Sequence, residues 1–410
     1  MSRTKLKNLT SKIGSGATPT GGKSSYIDDG ISLIRSLNVY DYTFEYKDLA
    51  HITELQAKKL DGVEILAGDI LINITGASVG RCCMVPTNVL PARVNQHVSI
   101  IRANPSQVNA RYLLHYINDP NNKRSLLNIA QGGATREAIT KEMLEALEVE
   151  LPSRIVQGRI ASILSAYDDL IENNARRITI LEAMAQRLYR EWFVHFRFLG
   201  HEKTKMVESE LGPIPNGWNV CPISDNIKPK RNTIRRNELS DDMLYVGIEH
   251  IPRKKMVVSD CSTASEVKSD KLLFSSGDVL FGKIRAYFHK IAIAPFDGCC
   301  STDVIVFCLS QKRYAFDYLT LFSDDFIAFA SQISQGTKMP RAEWNVLKDY
   351  NCVSPPQPLI EQFNQLVCPI IAQMQLLTKK NANLRRTRDL LLPRLISGDV
   401  DVSELEIKAA

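Results

Sequence analysis

The residues with the most obvious chemical potential fail, motif by motif, to make a reaction centre. The stretch GATPTGGKS, residues 16–24, ends like a phosphate loop, whose backbone amides wrap an anion. The spacing G-x-x-x-x-G-K-[ST] needs a glycine where Ala17 stands, so the stretch reads as a flexible glycine-rich loop. Methyl transfer to an exocyclic amino group calls for an Asn/Asp-Pro-Pro-Tyr/Phe motif, but the Pro355-Pro356 pair is followed by Gln357. Glu-x-Lys triplets occur at Glu45–Lys47, with Asp29 upstream, and at Glu266–Lys268 and Glu406–Lys408. They have the residue types of a metal-dependent nuclease, yet such triplets arise by chance in a chain with 23% charged residues. The nine cysteines include Cys82-Cys83 and Cys299-Cys300 but no CxxC and no Cys/His grouping at zinc spacing, so they read as reduced, mostly buried thiols. The seven histidines join no Ser/His/Asp or Cys/His set. No catalytic residue, no metal ligand and no cofactor is assigned to this chain.

What remains is the chemistry of recognition. Lys, Arg, Asn, Gln, Ser and Thr side chains reach phosphates and base edges, and loops rich in them are candidate DNA contacts. In the first half these are Thr18, Thr20, Lys23, Ser24 and Tyr26, then Thr75, Ser78 and Arg81, then Asn95, Gln96 and His97, with Gln131, Thr135 and Arg136 lining the same groove. In the second half they are Lys228, Lys230, Arg231, Asn232, Arg235 and Arg236, all from KPKRNTIRR, then Lys283, Arg285 and Tyr287, with Gln335, Thr337 and Lys338. Taken singly, each reads as an ordinary solvated side chain sooner than as a base reader. The run KPKRNTIRR is the strongest phosphate-contacting element, although charge runs are usually wet faces. The net charge of +6 permits an anionic partner without demanding one.

These loops sit in a long internal repeat. GDILINITGASVGR from Gly68 matches GDVLFGKIRAYFHK from Gly277, which sets Arg81 opposite Lys290. VNQHVSII from Val94 parallels CSTDVIVF from Cys300, and Gln131-Gly132 stands to Pro152 much as Gln335-Gly336 stands to Pro355-Pro356. LKNLTSKI from Leu6 has the apolar spacing of VCPISDNI from Val220, which aligns the two starts. β-branched runs such as DILINI, HVSIIRA, KIAIAPF and DVIVFCL, parted by Gly, Pro and Asn, predict strands, with shorter helices at ARYLLHYIND and FDYLTLFSDDFIAFASQI. Each copy should be an α+β domain with a twisted, largely antiparallel sheet and helices to one side.

Each mixed domain is followed by a long helix. Ile160, Leu164, Tyr167, Ile171, Asn174, Ile178, Leu181, Ala185, Leu188 and Trp192 keep a four-three alternation, the a/d pattern of a coiled coil. Phe363, Val367, Ile370, Met374, Leu377, Asn381, Leu384, Arg388, Leu391 and Leu395 repeat it, so the two seams should pack on each other. Asn174 and Asn381 either fix the register of that seam or are solvated at a frayed edge. Pro369 should kink the second helix or delay its entry into the coil. An antiparallel pairing would put the two domains at opposite ends of helices about 50 Å long, a caliper for two sites on one duplex.

A chain of 410 residues, 44% hydrophobic, suggests two to four domains, and no run approaches the roughly 18 apolar residues of a membrane span. The N-terminus MSRTKLKNLTSK has no apolar core of a signal peptide, so a cytoplasmic location is expected. Along nearly its full length the sequence resembles the specificity subunit of type I restriction-modification systems, in GSGATPT, GDILI…TGASVGR, ELGPIPNGW and LRRTRDLLLPRLISGDV. The resemblance implies target-recognition domains at 1–152 and 211–356, each reading half of a split, asymmetric site, with spacer helices at 153–200 and 357–398 forming an antiparallel coiled coil. It further implies double-stranded DNA, two modification (methyltransferase) subunits and two restriction subunits as partners. S-adenosylmethionine, ATP and Mg would belong to those partner subunits only. The first copy lacks the GPIPNGW lead-in, so its N-terminal edge is expected to be less tied down.

Overall fold

The computed structural model describes residues 2–131, 138–334 and 340–405. The chain divides into two compact units, one of residues 1–172 with 384–410 and the other of residues 173–383. In the first unit a four-stranded antiparallel sheet has the order Thr10–Ser15, Val98–Ala103, Ile70–Asn73, Cys82–Met84. A second sheet runs Ala50–Ile52, Ile31–Ile34, Ala92–Val94, Glu64–Ile65, with one parallel pair between Ile31–Ile34 and Ala92–Val94. Strand alternation explains the packing, because side chains of one strand point to opposite faces. Ile70, Ile72, Cys82 and Ile101 join a core with the helices, whereas Leu71, Cys83 and Ile100 join a core with the second sheet. The vicinal cysteines are therefore successive strand residues in two different cores, and burial pushes the Cys83 thiol up to about 12.

The second unit repeats this plan. Its antiparallel sheet runs Pro229–Lys230, Val304–Phe307, Val279–Gly282, Ile291–Ile293, and its second sheet contains the matching parallel pair, Leu244–Val246 with Gly298–Cys300. The shared GD motif is a turn. Gly68 and Gly277 take φ of +85° and +96°, where glycine alone is unstrained, and the next residue's carboxylate accepts from Leu66 N and Ser275 N at 2.8 Å in each copy. Asp69 is then neutralised by Arg102 at 2.7 Å and Asp278 by Lys230 at 2.9 Å. The two cations come from different strands, so the role recurs without the position.

Each domain closes on itself just before its long helix. Ser2–Lys5 pairs with Glu148–Leu151, and Asn219–Pro222 pairs with Asn351–Ser354. The N-terminal edge of the first domain is thus held by as many ladder partners as the second, contrary to the expectation drawn from the missing GPIPNGW. That phrase serves another purpose: its Trp218 packs on Phe193, Phe196 and Phe198 at 5.2–5.9 Å between ring centroids. The start of the repeat also aligns three residues away from the expected place. Leu6, not Leu9, matches Ile223, since their amides bond Leu147 O and Tyr350 O at 2.8 Å. Apolar residues spaced by three and four allow either alignment, and the strand partners decide.

The long helices span Arg154–Tyr189, ending in a π turn at Arg190–Val194, and Gln357–Ser397. The first is shorter than 153–200, because the aromatic run WFVHFRF folds back on its own core. The second helix begins twelve residues before Pro369 and passes through the proline. Pro369 sits on the exposed face, with buried Val367 and Ile371 holding the turns beside it. Within the second unit the helical segments run antiparallel: Trp192 meets Phe363 at 5.7 Å, and Asn174 meets Asn381. Within the first unit, Asp168 meets Arg388. Ile160, Leu164, Ile171, Asn174, Met374, Leu377, Asn381 and Leu395 are buried, while Tyr167, Ile178, Leu181, Leu188, Leu384 and Leu391 are half-buried. Ile371 and Leu392 lie deeper than their expected neighbours Ile370 and Leu391, because this helix packs on a mixed domain as well as on its partner.

Candidate nucleic-acid interface

In the first unit the strand Ile70–Asn73 delivers a buried amide to the base of a glycine-bounded loop. Asn73 Nδ2 donates to Ser36 O at 2.9 Å, Val39 O at 3.2 Å and Ser78 Oγ at 3.1 Å, which ties loop 75–81 to loop 36–42. Four of the expected residues then form one hydrogen-bonded row. Thr18 Oγ1 donates to Gln96 Oε1, Gln96 Nε2 lies 3.2 Å from His97 Nε2, and His97 Nδ1 lies 2.7 Å from Thr75 Oγ1. A neutral imidazole protonated on Nδ1 fits this row, accepting from Gln96 and donating to Thr75. Asn95 is buried behind it, accepting from His97 N at 3.1 Å. The chain reaches the row through Gly16, where a Cβ would lie 1.7 Å from Val94 O, so only glycine permits that approach.

The remaining first-unit candidates differ in environment. Thr20 is exposed, and Lys23 and Ser24 lie on an exposed turn in which Ser24 Oγ donates to Gly21 O at 2.7 Å. Tyr26 is half-buried against the second sheet, under the Arg35 guanidinium. Arg81 stacks its guanidinium 4.6 Å from the ring centroid of Tyr40, a residue that sequence reasoning missed. The dense aromatic spacing of NVYDYTF was the available signal. Gln131 ends the helix Pro120–Gln131, whereas Thr135, Arg136, Gln335, Thr337 and Lys338 lie outside the described residues.

In the second unit the equivalent loop follows Val279–Gly282. Lys283 pairs with Glu343 at 3.7 Å, Arg285 is exposed with φ of +52°, and Tyr287 is exposed beside Phe288. Arg341, also missed, reaches Asp303 at 3.2 Å. Of the basic run, Lys228, Arg231, Asn232 and Arg235 are exposed, Arg236 pairs with Asp241 at 3.2 Å, and Lys230 is committed to the buried Asp278. Both units therefore present polar side chains from the same two places, the loop after the GD strand and the turn before the next sheet strand. Such an arrangement offers hydrogen bonds and cations to a grooved polyanion, and among the described residues no cluster of His, Cys, Asp and Glu could hold a metal.

Residues 23–183 match the family model of the type I restriction modification DNA specificity domain. The MjaIX type I restriction enzyme specificity subunit of Methanocaldococcus jannaschii is 26% identical over 98% of this chain and 94% of that protein. The EcoDI specificity subunit of Escherichia coli is 25% identical over 63% of each. A crystal structure of the type I restriction-modification S subunit from M. genitalium shares the fold, with a TM-score of 0.60, 14% identity and coverage of 96% of this chain and 95% of that one. The fold defines a mixed helix-and-sheet protein with two like units. Over nearly its full length the chain is similar to type I restriction-modification specificity subunits.

Proposed function

We propose that this chain is the DNA sequence-recognition subunit of a type I restriction-modification enzyme, with each unit reading one half of a split, asymmetric site. The observation that carries it is the repeated placement of polar loops: Thr18, Thr75, Gln96 and His97 share one hydrogen-bonded row in the first unit, and Lys283, Arg285 and Tyr287 occupy the equivalent loop of the second. Such side chains read base edges, while exposed Lys228, Arg231 and Arg235 supply phosphate contacts. The subunit is non-catalytic. Methyl transfer belongs to two modification subunits, and cleavage to two restriction subunits, which bring S-adenosylmethionine, ATP and Mg. Exposed apolar residues on the long helices, Ile155, Leu170 and Leu390 in one unit and Ile180, Met184 and Leu376 in the other, suit docking of those partners. The site of action is cytoplasmic DNA; among the described residues no helix is long and apolar enough to cross a membrane.

Methylome mapping tests this reading in cells that express the chain with its methyltransferase. The expected product is one bipartite motif that disappears when this chain is deleted. Methylation of the same motif without the chain, or a stoichiometric S-adenosylmethionine site on the purified chain by calorimetry, would overturn it.

A further inference from the structure

A run of contacts in each unit begins at a buried charge on a long helix and ends at the candidate DNA-reading loop. In the first unit Arg388 is buried, donates to Asp168 at 2.6 Å and Asp389 at 2.8 Å, and lies 4.0 Å from the centroid of the Tyr42 ring. Tyr42 takes φ of +60°, and its amide donates to Cys82 O at 3.0 Å on the returning strand. Two residues earlier, the ring of Tyr40 carries the guanidinium of Arg81.

The second unit repeats the run with other residues. Buried Glu182 accepts from Met256 N at 2.7 Å and pairs with Lys255 at 3.4 Å. Lys254 takes φ of +54°, and its amide donates to His289 O at 3.0 Å. Next to it, Arg253 stacks 3.8 Å from the centroid of Phe288, inside the reading loop. By the offset that relates Asn174 to Asn381, Glu182 matches Asp389, one residue past Arg388, so the two buried charges lie at adjacent places in the repeat. The stack recurs with its partners exchanged: the cation comes from the reading loop in the first unit and from the neighbouring loop in the second. A buried charge on a helix costs stability relative to leucine, and each unit bears one where the helix grips the loop beside its reading loop.

We propose that Arg388 with Tyr42 and Tyr40, and Glu182 with Arg253, are positioning residues that fix the pose of the two reading loops from the long helices. The inference rests on the DNA-reading function proposed above and adds the residues that set selectivity without touching a base. The test uses the full chain and three duplexes: the sequence found by methylome mapping, and two versions with one half scrambled. Tyr40→Ala, and the paired change Arg388→Leu with Asp168→Leu, should each weaken binding to the intact duplex about threefold to tenfold. Both should leave binding to one scrambled duplex unchanged, the same one for each. Tyr40→Phe should restore wild-type affinity because the stack survives, and Arg253→Ala should single out the other scrambled duplex. Equal losses on all three duplexes, no loss, or failure of Tyr40→Phe to restore would overturn the proposal while DNA reading stands. A wild-type chain that does not distinguish intact from scrambled duplexes would overturn both.

Discussion

Asn174 donates a hydrogen bond from its side-chain amide to Oδ1 of Asn381 at 2.9 Å, with each residue only 3% exposed. Of the two readings of this pair, register-setting polar contact or solvated edge, burial selects the first. A buried amide bond in an apolar seam favours one alignment, because any slip strands both amides among leucines. Asn174→Leu alone should lower stability by about 1–3 kcal/mol, while leucine at both positions should recover or exceed the original value. Thermal unfolding checks both.

His115 predicts an acid sensitivity. Burial, with the Arg388 and Arg111 charges added, pushes its imidazole down to about 3, so at 3.7 Å from Asp168 it stays neutral. The unfolded imidazole titrates near 6.5, so the unfolded state takes up the proton first. Stability from this group is full above pH 6.5 and is lost as the pH falls from 6.5 toward 3. The stability difference between wild type and His115→Phe should shift by about 2 kcal/mol between pH 7 and pH 5, against the wild type at the lower pH. Denaturation at the two pH values measures it.

Asp317 has the opposite sign of effect. Burial pushes its carboxyl up to about 7, against the pull of Arg313 at 3.2 Å, so the folded state holds a proton that the unfolded chain releases near pH 4. Stability therefore falls as the pH rises between about 4 and 7. Asp317→Asn keeps the shape without the charge, and its stabilisation should be about 2.5 kcal/mol greater at pH 8 than at pH 5. A gain equal at both values would show that Asp317 is ionised in the fold.

The strands and the helix seam were legible because burial leaves periodicity. GDILI and GDVLF align, and Asn174 and Asn381 announce the register. Contacts between distant residues were not legible. Lys230 looked like part of a free basic run, but Asp278, which holds it, lies 48 residues on. Setting Arg81 opposite Lys290 was sound as alignment and uninformative as function, since Lys290 donates to Ile248 O while the stacking cation of that unit is Arg253. An interaction whose cation and ring exchange strands leaves no positional trace.

The proposed function requires each unit to read its own half of the site. The joins at 211 and 355 fall outside the paired strands Asn219–Pro222 and Asn351–Ser354, so residues 211 to 355 can be exchanged as one closed piece for the same region of a relative. Methylome mapping of that hybrid should show a motif changed in one half and preserved in the other. A motif changed in both halves would contradict independent reading, and an unchanged motif would contradict reading by the second unit at all.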